Sequence, residues 1–451
     1  MSPTAKLAMF GGERAVPRET RVEWPLVSED DRQAVLRALD AGALVSNAEG
    51  EAEVSGLERE FAERTGVAHC SGVANGTCAI TLALSALGIG AGDEVLVPAL
   101  TFVGTALGVV HAMATPVFVD VDPVSFNMDP ASAASAITPR TRAIVVVHLH
   151  GLPAEMTALR ELADRHGIAL IEDAAQAHGA TYRGSAAGSL GDLGCFSLNA
   201  TKNLPTCGEG GLVTTDDPDL HQRVTMRRQF GETIDERRGR SYSSQVLGWN
   251  AKLNPVQAAF TRSQLRRLGD YDRRRAENVG RLLTRLEQLP GLTVPSCPSD
   301  RTHAFHILRF RLDPVAAGLE DTPPGAFRQA LHRVLRAEGV PVSRYQLKAL
   351  PEQEAFRNRD GYGHGVPWTL TDPPASEPDP ASHAIATAIV EDSLTLQKRH
   401  LNPEAGPVLD LYADGFEKVW EHLDAVARLA SQGAGRRPRP TAVPVAEGAA
   451  G

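Results

Sequence analysis

A single lysine, Lys202, sits inside the run CFSLNATKNLPTCGEGGLVTT at residues 195–215. A short apolar stretch opens this run and a β-branched one closes it. Between them lie Ser197, Asn199, Thr201, Gly208, Gly210 and Gly211. A lone lysine between two strand-like runs, beside hydroxyls and glycines, is a place to hold a buried amine for covalent chemistry. By itself the pattern also describes a polar hairpin loop with a surface lysine. The chemical reading gains its weight from what lies upstream.

There, Asn75-Gly76-Thr77 joins a short strand to a strongly apolar helix. Free backbone N–H groups and a hydroxyl at a helix start can hold a phosphate, although an ordinary N-cap has the same look. Phe102 follows the strand-like Val95–Pro98, and Asp173 and Gln176 follow the buried-strand run Ile168–Ile171. Ser197 and Lys202 come next. This order meets the needs of pyridoxal 5'-phosphate. The phosphate needs a helix terminus and hydroxyls, and the ring needs a flat apolar side chain on one face. The pyridine nitrogen needs a carboxylate, and the aldehyde needs an amine. Each feature taken singly has a bland alternative: Asp173 as a helix cap, Gln176 as a surface amide, Phe102 as core packing.

The elements that must position these residues follow from composition and periodicity. The chain has 451 residues, 42% of them hydrophobic but only 5% aromatic, so its core is mostly Ala, Val and Leu. A net charge of −9 with interspersed signs gives no nucleic-acid footprint. Five scattered cysteines without a CxxC pair argue against a disulfide framework or a metal site and fit a reducing cytoplasm. No apolar run is long enough to span a membrane. Val- and Ile-rich strands alternate with helices from DEVLVPAL to IALIEDAAQ, which indicates parallel βαβ units. Ligands gather at the carboxyl ends of such strands.

Residues 1–30 read as an irregular arm, 31–270 as a large α/β domain, 271–432 as a long linking helix with a smaller α+β domain, and 433–451 as a disordered tail. Within this frame, Ser28 caps a helix whose apolar face is Val35, Leu36 and Leu39. ETIDERRGRSYSS reads as an exposed mobile loop whose Arg237–Arg240 form a solvated face. VPVSRYQ reads as a strand, 350–382 as a long irregular loop, and Asp410–Ser431 as holding one last amphipathic helix.

The runs IEDAAQAHGA, SLNATKNLPTCGEGGLVTTD and LGWNAKLNPVQAA, with the earlier NGT, resemble the DegT/DnrJ/StrS family of sugar aminotransferases, from about Gly11 to about Leu429. The resemblance implies the fold type I, aspartate-aminotransferase-like architecture. That is an α/β fold whose large domain holds a mostly parallel, seven-stranded type of sheet between helices. It also implies a homodimer with a shared active site. Lys202 would form a Schiff base with pyridoxal phosphate and shuttle the proton. Asp173 would pair with the ring nitrogen, Gln176 would sit near the ring hydroxyl, and Phe102 would stack on the ring. Gly76, Thr77 and Ser197 would bind the phosphate, and Asn250 would reach it from the other subunit. Lys252 stands where the family has a basic residue two positions after that asparagine. His178, Tyr345 and His400 are candidates for substrate contact. The implied reaction moves an amine from glutamine or glutamate to a keto-sugar or keto-cyclitol in antibiotic biosynthesis. The alternative is a dehydratase or aromatising lyase on the same scaffold, of the aminohydroxybenzoate-synthase type.

Overall fold

A computed structural model describes residues 6–235, 239–371 and 380–434. Its main sheet is built from β1 (His69–Val73), β2 (Glu94–Pro98), β3 (Thr115–Val119), β4 (Thr141–Val147) and β5 (Ala169–Asp173). The two-residue strands β6 (Thr181–Tyr182) and β7 (Ser185–Ala186) form a separate small hairpin. β8 (Leu193–Ser197) and β9 (Gly211–Thr215) complete the main sheet. Its seven strands lie in the order β1-β9-β8-β5-β4-β2-β3, and β9 alone runs against the others.

The strands are apolar along most of their length because helices cover both faces. Val95, Val97, Val145, Val147 and Ile171 pack on one face with the helix Gly76–Ala86. Leu96, Ile144, Val146 and Leu170 pack on the other with the helix Met156–His166. Side chains alternate along a strand, so Asp173 shares the face of Ile171, while Glu172 shares that of Leu170. By the same parity Ser197 shares the face of Leu193 and Cys195, toward the helix Gly76–Ala86. Thus Asp173 and Ser197 emerge on one face at the carboxyl edge. Glu172 takes the structural role on the other face. It accepts from the Gly188, Leu190 and Gly191 N–H groups at 2.8, 2.6 and 2.7 Å and pairs with buried His148 at 2.7 Å.

A second core surrounds an antiparallel sheet of β12 (Leu292–Thr293), β13 (Leu308–Leu312) and β14 (Ser393–Leu396). Phe310, Phe327, Leu331, Phe416 and Trp420 fill it, and Leu7 and Val16 of the N-terminal arm join it.

Several expectations change. ETIDERRGRSYSS contains an antiparallel pair, β10 (Glu232–Asp235) and β11 (Gly239–Ser244), with a register shift between Glu232 and Ile234; residues 236–238 lie outside the described residues. The helix Glu29–Ala41 has the expected Ser28 cap, but it buries Ala34 and Ala38 against Ala259, and Leu36 and Leu39 face outward at 48% and 47% exposure. Small residues win that face because they allow close helix approach. The linking helix is Leu268–Leu286, starting three residues before the expected boundary and preceded by a separate helix, Pro255–Leu265. VPVSRYQ contributes a single bridge, Ser343 to Thr395, because β14 takes the place beside β13. The last helix is also two, Gly406–Trp420 and Leu423–Ala434, the second ending two residues into the expected tail. Residues 435–451 lie outside the described residues. The 350–371 segment carries a short helix, Glu354–Arg357, between single turns, and 372–379 are not described.

Candidate active site

The carboxyl edge of β5 places Asp173, only 7% exposed, as the last residue of the strand. Its Oδ2 accepts from the Thr105 hydroxyl at 2.7 Å and its Oδ1 from the Ala175 N–H at 3.2 Å. Buried Gln176 accepts the His150 N–H at 2.8 Å. A backbone N–H can only donate, so the Gln176 oxygen faces His150 and its amide NH2 points elsewhere.

The loop between β8 and β9 carries Lys202. It is folded back on itself, with the Lys202 N–H on Asn199 O at 2.8 Å. From the N-terminal arm, the Trp24 indole donates to Lys202 O at 3.1 Å. Burial, then the neighbouring Lys398 charge, lowers the Lys202 amine from 10.5 to about 8, against the opposing pull of Asp173 and Glu209. An amine with that pKa is partly unprotonated near neutral pH and available as a nucleophile or base.

Asn75 caps the helix Gly76–Ala86 by accepting the Cys78 N–H at 2.9 Å. The Gly76 and Thr77 N–H groups, at the first two helical positions, have no intrahelical acceptor. A Cβ on Gly76 would lie 2.8 Å from Ser197 Cβ, so the helix start rests directly on Ser197. A Cβ on Gly104 would lie 2.9 Å from Thr77 Oγ1 and 3.1 Å from the Phe102 ring. Phe102 remains 55% exposed, a flat apolar ring with an open face. A helix terminus with open donors, two hydroxyls, an aromatic ring, a buried carboxylate and an enclosed amine are the groups that a phosphorylated pyridine aldehyde requires. The residues present therefore fit pyridoxal phosphate.

The remaining candidates divide. His178 is buried, and burial, then Lys202 and Arg275, lowers its pKa to about 3 against the opposing effect of the Ser197 backbone. Burial raises the Tyr345 phenol to about 12, with Arg309 opposing and Asp173 adding to the rise. Its ring meets His150 edge-on at 6.3 Å. His400 has both nitrogens engaged: Nε2 accepts from Arg399 Nε at 3.1 Å, and Nδ1 bonds the Tyr412 hydroxyl at 2.9 Å. Asn250 is exposed and accepts from Lys252 Nζ at 2.5 Å. Thr105, Gly104, Trp24, His150 and Lys398 were missed from the sequence.

A mostly parallel seven-stranded sheet bearing these groups at its carboxyl edge defines a pyridoxal-phosphate-dependent aminotransferase of fold type I. The sequence profile of the DegT/DnrJ/EryC1/StrS aminotransferase family matches residues 25–371, and the chain belongs to that family.

It is 38% identical over 346 residues to the UDP-N-acetyl-3-dehydro-alpha-D-glucosamine 3-aminotransferase of Acidithiobacillus ferrooxidans, covering 76% of this chain and 87% of that one. It is 34% identical over 371 residues to a Streptoalloteichus tenebrarius protein named as a candidate L-glutamine:3-amino-2,3-dideoxy-scyllo-inosose aminotransferase, covering 80% and 87%. Among solved structures, S. venezuelae DesV in complex with a ketimine intermediate is similar at a TM-score of 0.74. It is 34% identical, covering 87% of this chain and 94% of that one.

Proposed function

We propose that this aminotransferase moves an amine from glutamine or glutamate to a keto-sugar or keto-cyclitol. The observation that carries the reading is the enclosed Lys202 amine, lowered to about 8, within the field of Asp173. The acceptor class is supported by the Acidithiobacillus relative and the glutamine donor by the Streptoalloteichus one. When bound, pyridoxal phosphate supplies an aldehyde and a protonated ring that draws electrons from the substrate carbon.

The chain supplies the rest. Lys202 Nζ takes and returns the substrate proton. Asp173 holds the proton at the ring nitrogen, and Thr105 keeps that carboxylate oriented. The Gly76 and Thr77 N–H groups and the Ser197 hydroxyl bind the phosphate. Phe102 covers one ring face, and Gln176 donates toward the ring hydroxyl. His178 and Tyr345 border the substrate. In this reading residues 31–270 carry the cofactor, and 271–432 close over the acceptor.

The working unit is a homodimer, in which Asn250 of each copy serves the other's phosphate. Support comes from apolar side chains exposed in the single chain: Leu247 at 90%, Tyr242 at 78% and Phe102 at 55%. A cytoplasmic setting suits the five free thiols. Among the described residues no helix is long and apolar enough to cross a membrane.

The test is to add L-glutamine or L-glutamate to the purified protein and follow the visible cofactor band and the keto acid. Loss of the band with keto-acid release, both abolished in Lys202→Ala, is the expected result. Water loss from an acceptor without keto-acid release would replace the transfer reading with the lyase one.

A further inference from the structure

Arg309, the second residue of β13, is 2% exposed. Its Nε donates to His150 Nε2 at 3.0 Å, one terminal nitrogen donates to Ser393 Oγ at 2.6 Å, and the other to Gln346 Oε1. None of the three partners is a carboxylate, and among the described residues Arg309 has no ion pair. A buried guanidinium is costly to keep, and its partners show what it holds.

Two of these partners, His150 and Gln346, lead toward the active site, while Ser393 donates onward to Ile389 O. His150 uses its backbone N–H to fix the Gln176 oxygen at 2.8 Å, which sets the direction of the Gln176 amide. His150 itself is held at φ 62, a conformation that non-glycine residues seldom adopt. Its carbonyl accepts from the His306 N–H at 2.9 Å, on the lead-in to β13. Gln346 accepts from Arg309 through its oxygen, so its Nε2 is free to donate to Thr101 O at 3.3 Å, the residue before Phe102. Thr101 Oγ1 lies 3.2 Å from Thr105 Oγ1, which donates to Asp173. The chain of bonds begins at Gln176 and ends at Asp173, and Arg309 is the member contributed by the second sheet.

We infer that Arg309 is a positioning residue for the cofactor ring, orienting Gln176 through His150 and holding the Phe102 segment through Gln346. The inference rests on the reading of Gln176 and Phe102 as ring contacts. Arginine suits the task because its planar fork serves acceptors in three directions at once, which a lysine ammonium on the same stem does not.

The test compares wild type with Arg309→Met, Arg309→Lys and Gln346→Leu. Apoenzyme is titrated with pyridoxal phosphate to obtain its dissociation constant. The bound cofactor's visible band is then followed against pH. Arg309→Met is expected to weaken cofactor binding roughly ten- to hundredfold, the worth of hydrogen bonds to a charged group. It is also expected to shift the pH midpoint of the band, which a purely structural role would leave in place. Arg309→Lys restores neither. Gln346→Leu, at a part-exposed site, weakens binding by less and keeps the midpoint, because the Gln176 arm is intact.

Wild-type affinity and midpoint in a folded Arg309→Met protein overturn the inference, even if its melting temperature falls. Full rescue by Arg309→Lys overturns it in favour of charge alone. Should Arg309→Met not fold, unchanged cofactor affinity in Gln346→Leu overturns it. A wild type that shows no cofactor band overturns the site reading and this inference together; a band in wild type with an indifferent Arg309→Met overturns this inference only.

Discussion

Thr105 donates its hydroxyl to Asp173 Oδ2 at 2.7 Å, reaching from a helix over the sheet to the strand that carries the carboxylate. Thr105→Val keeps the shape and removes the donor. A hydrogen bond to a charged group is worth about 1.5–3 kcal/mol, and without it the Asp173 carboxylate loses the contact that fixes its direction toward the ring nitrogen. We expect the donor half-reaction to slow by roughly tenfold or more, with the melting temperature little changed. Stopped-flow absorbance measures this, and an unaltered rate would show that the bond does not serve the chemistry.

Gly104 stands where a side chain would strike both Thr77 and Phe102. Gly104→Val should push the phosphate end and the ring face apart. Overpacking of this kind costs about 1–3 kcal/mol, which here appears as weaker cofactor binding. Calorimetric titration of apoenzyme with pyridoxal phosphate checks it. Binding as tight as wild type would mean that the two groups do not form one cradle.

The Lys202 amine is lowered to about 8, by burial first and by Lys398 second. Only the unprotonated amine can attack an aldehyde. Cofactor capture by apoenzyme should therefore rise about tenfold per pH unit at acid pH and level off above about pH 8. Lys398→Ala removes the second cause and moves the midpoint upward. A wild-type midpoint near the ordinary lysine value would contradict the enclosure of Lys202.

Asp31 is fully buried and accepts from the Ser28 N–H at 2.7 Å and from Arg267 Nη2 at 2.7 Å. Burial pushes its pKa up, but hydrogen bonds from Ser263, Arg267 and Ser28 outweigh that and hold it below the usual value. A lowered folded pKa gives stability that is fully present above the unfolded value and is lost as pH falls through the folded one. Asp31→Asn should thus destabilise the chain at pH 7 by roughly 1–3 kcal/mol, with the gap closing as pH falls below the ordinary aspartate value of about 3.9. Denaturant unfolding at both pH values measures it, and an equal gap at both would reject the linkage.

The helix Glu29–Ala41 shows where a sequence reading stops. Ser28 marked its start, because caps are local: its side chain takes the Asp31 N–H, and at the other end Gly42 adopts φ 73. Its buried face was not legible. Hydrophobicity favoured Leu36 and Leu39, yet Ala34 and Ala38 were chosen by the neighbouring helix. β14 escaped notice for a similar reason, since its place beside β13 is set by a partner far away in sequence.

The same division runs through the active site. The sequence put Asp173 and Ser197 at strand ends, Gly76 at a helix start and Lys202 in the turn between two strands, and the structure has them there. Their supports came only with the tertiary structure. Thr105, Gly104, His150 and Arg309 act through contacts between segments far apart in the chain, and no local pattern encodes which donor will meet which acceptor across two sheets. Residue type and spacing determined what chemistry the chain could perform. Packing decided the lowered amine of Lys202 and the hydrogen-bond path from Gln176 through Arg309 to Asp173, because burial and hydrogen-bond direction exist only once the sheets are assembled.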